Sequence, residues 1–266
     1  MLNQEQINHF RTYGYVLGNR VLTDEQVEVL RAETLRVIEQ RERSDVTQPV
    51  LCHTFGKPEA PVWQIVNIWM ASPAFKELIF NKQINEEMAQ LIPDANTLRI
   101  WHDQIQFKPA GKGGVNMWHQ DSPYWGILTP KHEQVTAWLA LDDVDEANGC
   151  MSMVPNSHDW GNSIEFLHTL KDFSDMDKVT DFQSHPVRVV KCPVKKGHIH
   201  YHHSLTWHGS HANTSDRPRR AVALHFMTQN TRNEASGQHI MKQFVHVPAG
   251  EVVSGDAFPV TWQRSA

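Results

Sequence analysis

TLRIWHDQIQF, running from Thr97 to Phe107, marks the point where this chain changes texture. It is rich in β-formers and partly alternates apolar with polar residues, the period of a strand with one buried face. Before it, the apolar period is helical. Asn3 with Gln6 is a capping-box pattern that predicts a short helix ending near Gly14, and YVLGN after it predicts a first strand. Thr23 with Gln26 repeats the pattern, and Val27, Leu30, Thr34 and Ile38 then share one helical face as far as about Arg41. VWQIVNIW, Val62 to Trp69, reads as a strand or a buried connector. Pro73 suits the first turn of a helix ending near Phe80, and Ile84, Met88 and Leu91 mark a further helix stopped by Pro93.

After Thr97 come the loop PAGKGG and then VTAWLALDDV (Val135 to Val144), GCMSMVPNSH, VRVVKCPV, HIHYHHSLTWHG and RRAVALHFMTQN, short strands bounded by turn residues. Strands at this spacing predict an all-β barrel or sandwich core over residues 97–260. The helices of residues 1–95 pack outside it as support, and 1–266 reads as one domain. The polar stretch 156–186, with its apolar patch Ile164, Phe166 and Leu167, reads as a long loop or lid that closes over the site.

Composition narrows the classes. Lys plus Arg is 25 against 30 Asp plus Glu, a formal charge of -5, with no basic excess to attract nucleic acid. No segment approaches the roughly 20 apolar residues that span a bilayer, and MLNQEQINHF lacks the apolar run of a signal peptide. Cys52, Cys150 and Cys192 are odd in number and widely spaced, which suits a reduced, cytoplasmic setting. The partner class left is a small-molecule substrate. Among 17 histidines, the crowding between residues 198 and 211 needs an account.

WHQDSPYWG (Trp118 to Gly126) and HYHHSLTWHGS (His200 to Ser210) pose the chemical question. Residues i and i+2 of a strand point the same way, so His119 and Asp121 face one centre and Gln120 faces away. An imidazole, a carboxylate and one distant imidazole form the facial set of non-haem iron(II), with open positions opposite. The H-x-D pair alone is a weak signal, since a polar turn after a surface strand reads the same. His198, His200, His202, His203, His208 and His211 all stand as candidates for the third donor. Alternation puts His198, His200 and His202 on one face, and His208 shares their parity unless a bend breaks the register. Pattern alone does not choose. SDRPRR, Ser215 to Arg220, supplies guanidinium groups that grip carboxylates, which favours the latest histidine of the cluster.

WHDQIQFKP, MWHQD, AWLALDDVDEANGCMSMVPNSH, KKG and HHSLTWHGSHANTSDRPRRA occur in that order over roughly residues 98–226. Together they resemble the phytanoyl-CoA dioxygenase family, the iron(II)- and 2-oxoglutarate-dependent oxygenases that include the ectoine hydroxylases. The resemblance implies a double-stranded β-helix, a jelly roll of cupin-like form. By position it implies His119, Asp121 and His208 as iron ligands at the catalytic centre. It implies Arg219 as the grip on the distal carboxylate of 2-oxoglutarate, with Ser210 as helper. Trp138 falls near the lining of the co-substrate pocket, and Lys108, Gln106 and His102 match further residues of that pocket. Arg219 and Arg220 point to opposite faces of a strand, so only one reaches it. One departure is clear: Gly197-His198 and then IHYHH stand where the family reads Gly-Asp and an apolar strand. The extra histidines line the site or hold a second metal, or else are edge and core residues.

The resemblance also implies dioxygen as co-substrate and hydroxylation of an unactivated C–H bond. Asp121 argues against halogenation, in which a halide takes the carboxylate's place. The substrate expected is a small polar metabolite. A quaternary ammonium would use Tyr124 and Trp125 as an aromatic cage, where ordinary packing with Met117 and Trp118 is the competing reading. An acyl-CoA ester, the alternative substrate, needs an apolar groove with a basic mouth. Lys171, Lys178, Lys191, Lys195 and Lys196 are candidates for it against ordinary solvated surface. Two readings of other classes remain. A non-catalytic cupin-like metal-binding protein does not account for Arg219, and a zinc hydrolase needs Glu133 or Asp142 as its base.

Overall fold

The computed structural model describes residues 1–265. The first helix, Gln4–Tyr13, starts on Asn3 with both bonds of the capping box and stops on Gly14, whose φ of 80° suits a residue without Cβ. Helix Asp24–Glu39 starts the same way on Thr23. Pro73–Ile79 and Lys82–Leu91 follow where the sequence predicts them. No helix among the described residues is long and apolar enough to cross a membrane.

Among the described residues, eight strands form one large sheet. Its order is Tyr15–Arg20, His198–His203, Val135–Ala140, Arg219–Thr228, Thr97–Lys108, Ala60–Val66 and Leu51–Lys57, with Val260–Gln263 also paired to Thr97–Lys108. A four-stranded sheet runs Val190–Cys192, Met151–Met153, His208–Ser210, Asn116–His119. The two meet through Trp138, Ala221 and Ala223 on one side and Met151, Met153 and Cys192 on the other. This is the double-stranded β-helix that the family resemblance implies.

The pleat gives the large sheet two characters. Leu139, Ile199, Val222, Leu224 and Phe226 face outward, where they bury against Val27, Leu30, Phe75, Ile84 and Met88 of the helices. The opposite face presents Gln104, Gln106, Thr136, His202 and His225 to a small interior cavity. Apolar burial at about 25 cal/mol per Å² holds the helical layer in place, and the inner face is left free for chemistry.

Three expectations change. The strand expected over Val135 to Val144 ends at Ala140, because Asp142 turns out to bond Arg31 and Arg220. HIHYHHSLTWHG is two strands in different sheets, separated by a turn in which Thr206 N–H donates to His203 O at 2.9 Å. Residues 156–186 are no irregular loop. They form short helical turns at Ser157–Trp160, Ile164–Leu167 and Phe173–Lys178, then a small hairpin. Leu167 and Met176 pin the segment by burying against Trp118, Val154 and Trp207.

Asp103 ties the Thr97–Lys108 strand to the turn after Ala60–Val66. Its Oδ1 accepts Ile68 N–H at 2.8 Å and its Oδ2 accepts Trp69 N–H at 3.1 Å, while its own N–H donates to Asn67 Oδ1 at 3.2 Å. Burial pushes the carboxyl up to about 7, against the backbone N–H bonds that favour its ionised form. A carboxyl raised on folding contributes stability that is complete below the unfolded value and lost as pH rises through the folded one. Asp103→Ala leaves two buried donors unpaired and is expected to cost about 2–4 kcal/mol, read as a lower urea midpoint. The gap from the parent protein should be widest below about pH 4 and narrow progressively up to about pH 7.

Candidate metal centre

His119 closes the Asn116–His119 strand, His208 opens the His208–Ser210 strand, and the two are register partners in the small sheet. Gly209 follows because a Cβ there would lie 3.0 Å from Asn116 O and from the Phe173 ring. The two imidazoles tilt together with centroids 4.1 Å apart. Asp121 lies past the end of its strand, at φ -70° and ψ -52°, where the Ser122–Tyr124 turn begins. The two-residue strand period expected for this pair therefore fails. A helical turn brings the carboxylate back beside the rings. Its Oδ1 is 3.8 Å from His119 Nε2 and 3.5 Å from His208 Nε2, and the three donor atoms all lie within 4.8 Å of one another.

The donors are set up to hold an ion. His119 Nδ1 lies 2.7 Å from Met117 O, and His208 Nδ1 lies 2.9 Å from Thr206 O. A carbonyl only accepts, so each Nδ1 carries the proton and each Nε2 turns its lone pair to the centre. Burial, reinforced by His208, holds His119 down to about 3, so its ring is neutral. Burial works to raise the Asp121 pKa, but His208, His202 and His225 more than offset it and keep the carboxylate ionised. Two imidazoles and one carboxylate fit ferrous iron.

A second ring of contacts orients Asp121. Its Oδ2 accepts Thr136 Oγ1–H at 2.8 Å and lies 3.2 Å from His202 Nε2. Thr136 Oγ1 in turn lies 2.8 Å from His225 Nδ1. Thr136 and His225 were not singled out in the sequence, yet the signal was there. His225 shares its parity with Arg219 and Thr136 with Trp138, and the two are cross-strand partners. Of the other histidine candidates, His200 stacks on Tyr15, His203 Nε2 meets His132 O at 3.1 Å, and His211 Nδ1 meets Ala212 O at 2.8 Å.

The residues matched to the co-substrate pocket gather behind the triad. Arg219 and Lys108 are register partners, both fully buried, and neither has an acidic partner among the described residues. Arg219 Nη2 and Lys108 Nζ both donate to Ser210 Oγ, at 2.9 and 2.7 Å. The Arg219 guanidinium lies 5.5 Å from the Trp138 ring centroid. Gln106 and Trp138 line the small cavity together with the triad. Arg220 points the other way, as parity requires, and pairs with Asp142 at 2.8 Å. Burial, then Arg219, lowers Lys108 well below the lysine range, and burial lowers Arg219 to about 10. His102 lies in front, on a cavity of about 650 Å³ that opens onto His119 and Asp121. Leu167, His168 and Leu170 of the 156–186 segment supply one wall.

The bases that a hydrolase would need are elsewhere. Glu133 bonds Thr228 and Asn230, and Asp142 is taken by Arg31 and Arg220.

Two imidazoles and a carboxylate converging at the mouth of a double-stranded β-helix are the mark of the two-histidine-one-carboxylate oxygenase fold class. Residues 10–221 match the phytanoyl-CoA dioxygenase (PhyH) family, and the chain belongs to it. The phytanoyl-CoA dioxygenase domain-containing protein 1 of Danio rerio is 34% identical over 132 residues, 47% of this chain and 44% of its own length. The non-haem α-ketoglutarate-dependent carbocyclase SnoK from nogalamycin biosynthesis superposes with a TM-score of 0.76 at 24% identity, over 97% of this chain and 96% of its own. EctD from S. alaskensis, solved with 2-oxoglutarate and 5-hydroxyectoine, gives 0.67 at 19% identity, over 88% and 78%. Structural likeness at these identities shows the fold. The chain spans about half the length of the curated relatives it matches, with shares of 57%, 44% and 57%.

Freeing Asp121 Oδ2 should loosen the centre without removing a donor. Thr136→Val is expected to weaken iron(II) binding about 10–100-fold in anaerobic calorimetry, with the fold intact by circular dichroism.

Proposed function

We propose that the protein is an iron(II)- and 2-oxoglutarate-dependent dioxygenase that hydroxylates a small polar molecule. The observation that carries this reading is the buried guanidinium of Arg219, which shares Ser210 Oγ with the Lys108 amine beside a two-histidine-one-carboxylate triad. A buried guanidinium without an acidic partner is costly, and the carboxylate of a bound dicarboxylate would offset that cost. A structural metal gives no reason to keep it.

Iron bound with 2-oxoglutarate and dioxygen would supply the oxidising power to break an unactivated C–H bond. The chain's own part is positional. His119 Nε2, Asp121 Oδ1 and His208 Nε2 would ligate one face of the ion. Met117 O and Thr206 O hold the ring tautomers, and Thr136 and His202 hold Asp121 Oδ2 so that Oδ1 stays inward. Arg219 and Ser210 would take the far carboxylate of the co-substrate, with Lys108 adding a hydrogen-bond donor beside Ser210. Trp138 and Met151 line the small cavity at the triad and would help keep water from it. The substrate would enter from the larger cavity. Asp121 supports hydroxylation over halogenation, since it fills the position a halide would need. The acyl-CoA alternative gains no support from its lysines. None of the five lines the cavity, Lys178 pairs with Asp175, and Lys196 pairs with Asp24.

Anaerobic titration tests the reading. The iron(II) protein should develop a weak visible band on adding 2-oxoglutarate. Arg219→Ala should weaken that binding by about 2–5 kcal/mol, because an unpaired carboxylate is left buried. Arg220→Ala should leave it nearly unchanged, and His208→Ala should lose the metal. Equal behaviour of the two arginine variants would sink the assignment. With turnover, product mass should rise by one oxygen for each succinate formed.

A further inference from the structure

The larger cavity has a character of its own. At about 650 Å³ it falls in the range that holds drug-sized ligands, and it exceeds the need of an amino-acid-sized metabolite. Among the described residues that line it there is no lysine, arginine or glutamate, and its one aspartate is Asp121, which faces the triad. Apart from Asp121, its polar groups are amides, imidazoles and a phenol, and two hydrogen-bonded sets stand out among them. In one, Gln64 Nε2–H donates to Gln104 Oε1 at 3.0 Å, while Gln64 Oε1 lies 2.9 Å from His53 Nε2. That chain of amides holds Gln104 Oε1 as an acceptor and leaves the NH₂ group of this cavity-lining residue without a hydrogen bond among the described residues. In the other, Tyr124 OH lies 2.8 Å from His168 Nε2, which joins the turn after Asp121 to the 156–186 segment. Leu51, Val66 and Leu167 add apolar side chains to the same lining. Burial also holds His102 down to about 3 and His239 down to about 4, so neither ring adds charge.

These facts exclude substrates by their electrostatics. The phosphates of a coenzyme A ester need fixed guanidinium or ammonium groups, and the cavity supplies none. A quaternary ammonium or a free amino acid would enter a low-dielectric space with no uncommitted carboxylate to receive its positive charge. An uncharged molecule meets no such penalty. Its hydroxyl or amide groups would reach partners that are already oriented, and its rings would pack on the apolar lining.

We infer that the cavity takes an uncharged, multi-ring compound bearing hydroxyl or amide groups, read by the Gln64–Gln104 amides and by the Tyr124–His168 pair. Naming this occupant the substrate rests on the oxygenase reading; its binding does not.

Calorimetry on the metal-free protein separates the two. The probes are a flavanone O-glucoside, lauroyl-coenzyme A and carnitine. The glucoside should bind with a Kd below about 1 mM that is unchanged by added salt, and neither charged probe should displace it. Gln64→Leu and Tyr124→Phe should each weaken the glucoside about tenfold, the loss of one buried hydrogen bond. Tighter binding of either charged probe, strong salt dependence, or no measurable glucoside binding overturns the inference, and so does unchanged affinity in both variants. The visible band with iron and 2-oxoglutarate is the independent control. A parent protein that shows the band but prefers lauroyl-coenzyme A refutes the substrate class alone. One that lacks the band yet binds the glucoside refutes the oxygenase reading and supports the cavity assignment.

Discussion

In the Arg219–Thr228 strand, Ala221, Ala223 and His225 face the interior with Arg219, while Val222, Leu224 and Phe226 face the helices. The neighbours in register keep the same division. Lys108 stands beside Arg219, Gln106 beside Ala221, Gln104 beside Ala223 and His102 beside His225. Small residues on the central strand thus alternate in space with long polar ones on its neighbour, which makes room for a cavity inside a packed sheet. A slip of one residue would drive the whole polar set into the helical layer and the apolar set into the site. Stability and chemistry are therefore specified by one register.

The polar face carries an electrostatic cost. Lys108 and Arg219 are buried together, and their hydrogen bonds run to Ser210 Oγ and to backbone carbonyls such as Gly149 O. These bonds satisfy the donors without neutralising the guanidinium charge of Arg219. At the opposite end of the inner face the balance is reversed: Asp121 is a single carboxylate among His119, His202, His208 and His225. An anion beside the arginine and a cation beside the aspartate would each complete an arrangement that the protein holds half-made. That complementarity is what a chelating dicarboxylate and a divalent metal share.

The 156–186 segment connects this centre to its surroundings. It is anchored by Leu167 and Met176, stacks Phe173 on Trp118 at 5.1 Å, and touches the metal turn through His168 and Tyr124. Trp118 lies between His119 and the anchor, so movement of the segment and position of the ligand strand are mechanically linked. The wall of the cavity is therefore part of the support of the metal centre.

Much of this was legible in the residues themselves. Capping boxes at Asn3 and Thr23 mark helix starts because their bonds close within four residues. The change to strand texture at Thr97 and the opposite facing of Arg219 and Arg220 follow from a two-residue period that neighbours along the chain encode. The family motifs pointed to His119, Asp121 and His208, which the structure brings within 4.8 Å. Other features needed the tertiary structure. Periodicity did not choose among six histidines, and only the turn at residues 204–207, which carries the chain from the large sheet to the small one, sets His208 against His119. The same limit hid the helical turn at Asp121, the pairing of Thr136 with His225, and the absence of charge around the larger cavity. Local sequence sets propensity and facing, because those act between near neighbours. Which faces meet is decided by strand order and register, through contacts between residues far apart in the chain.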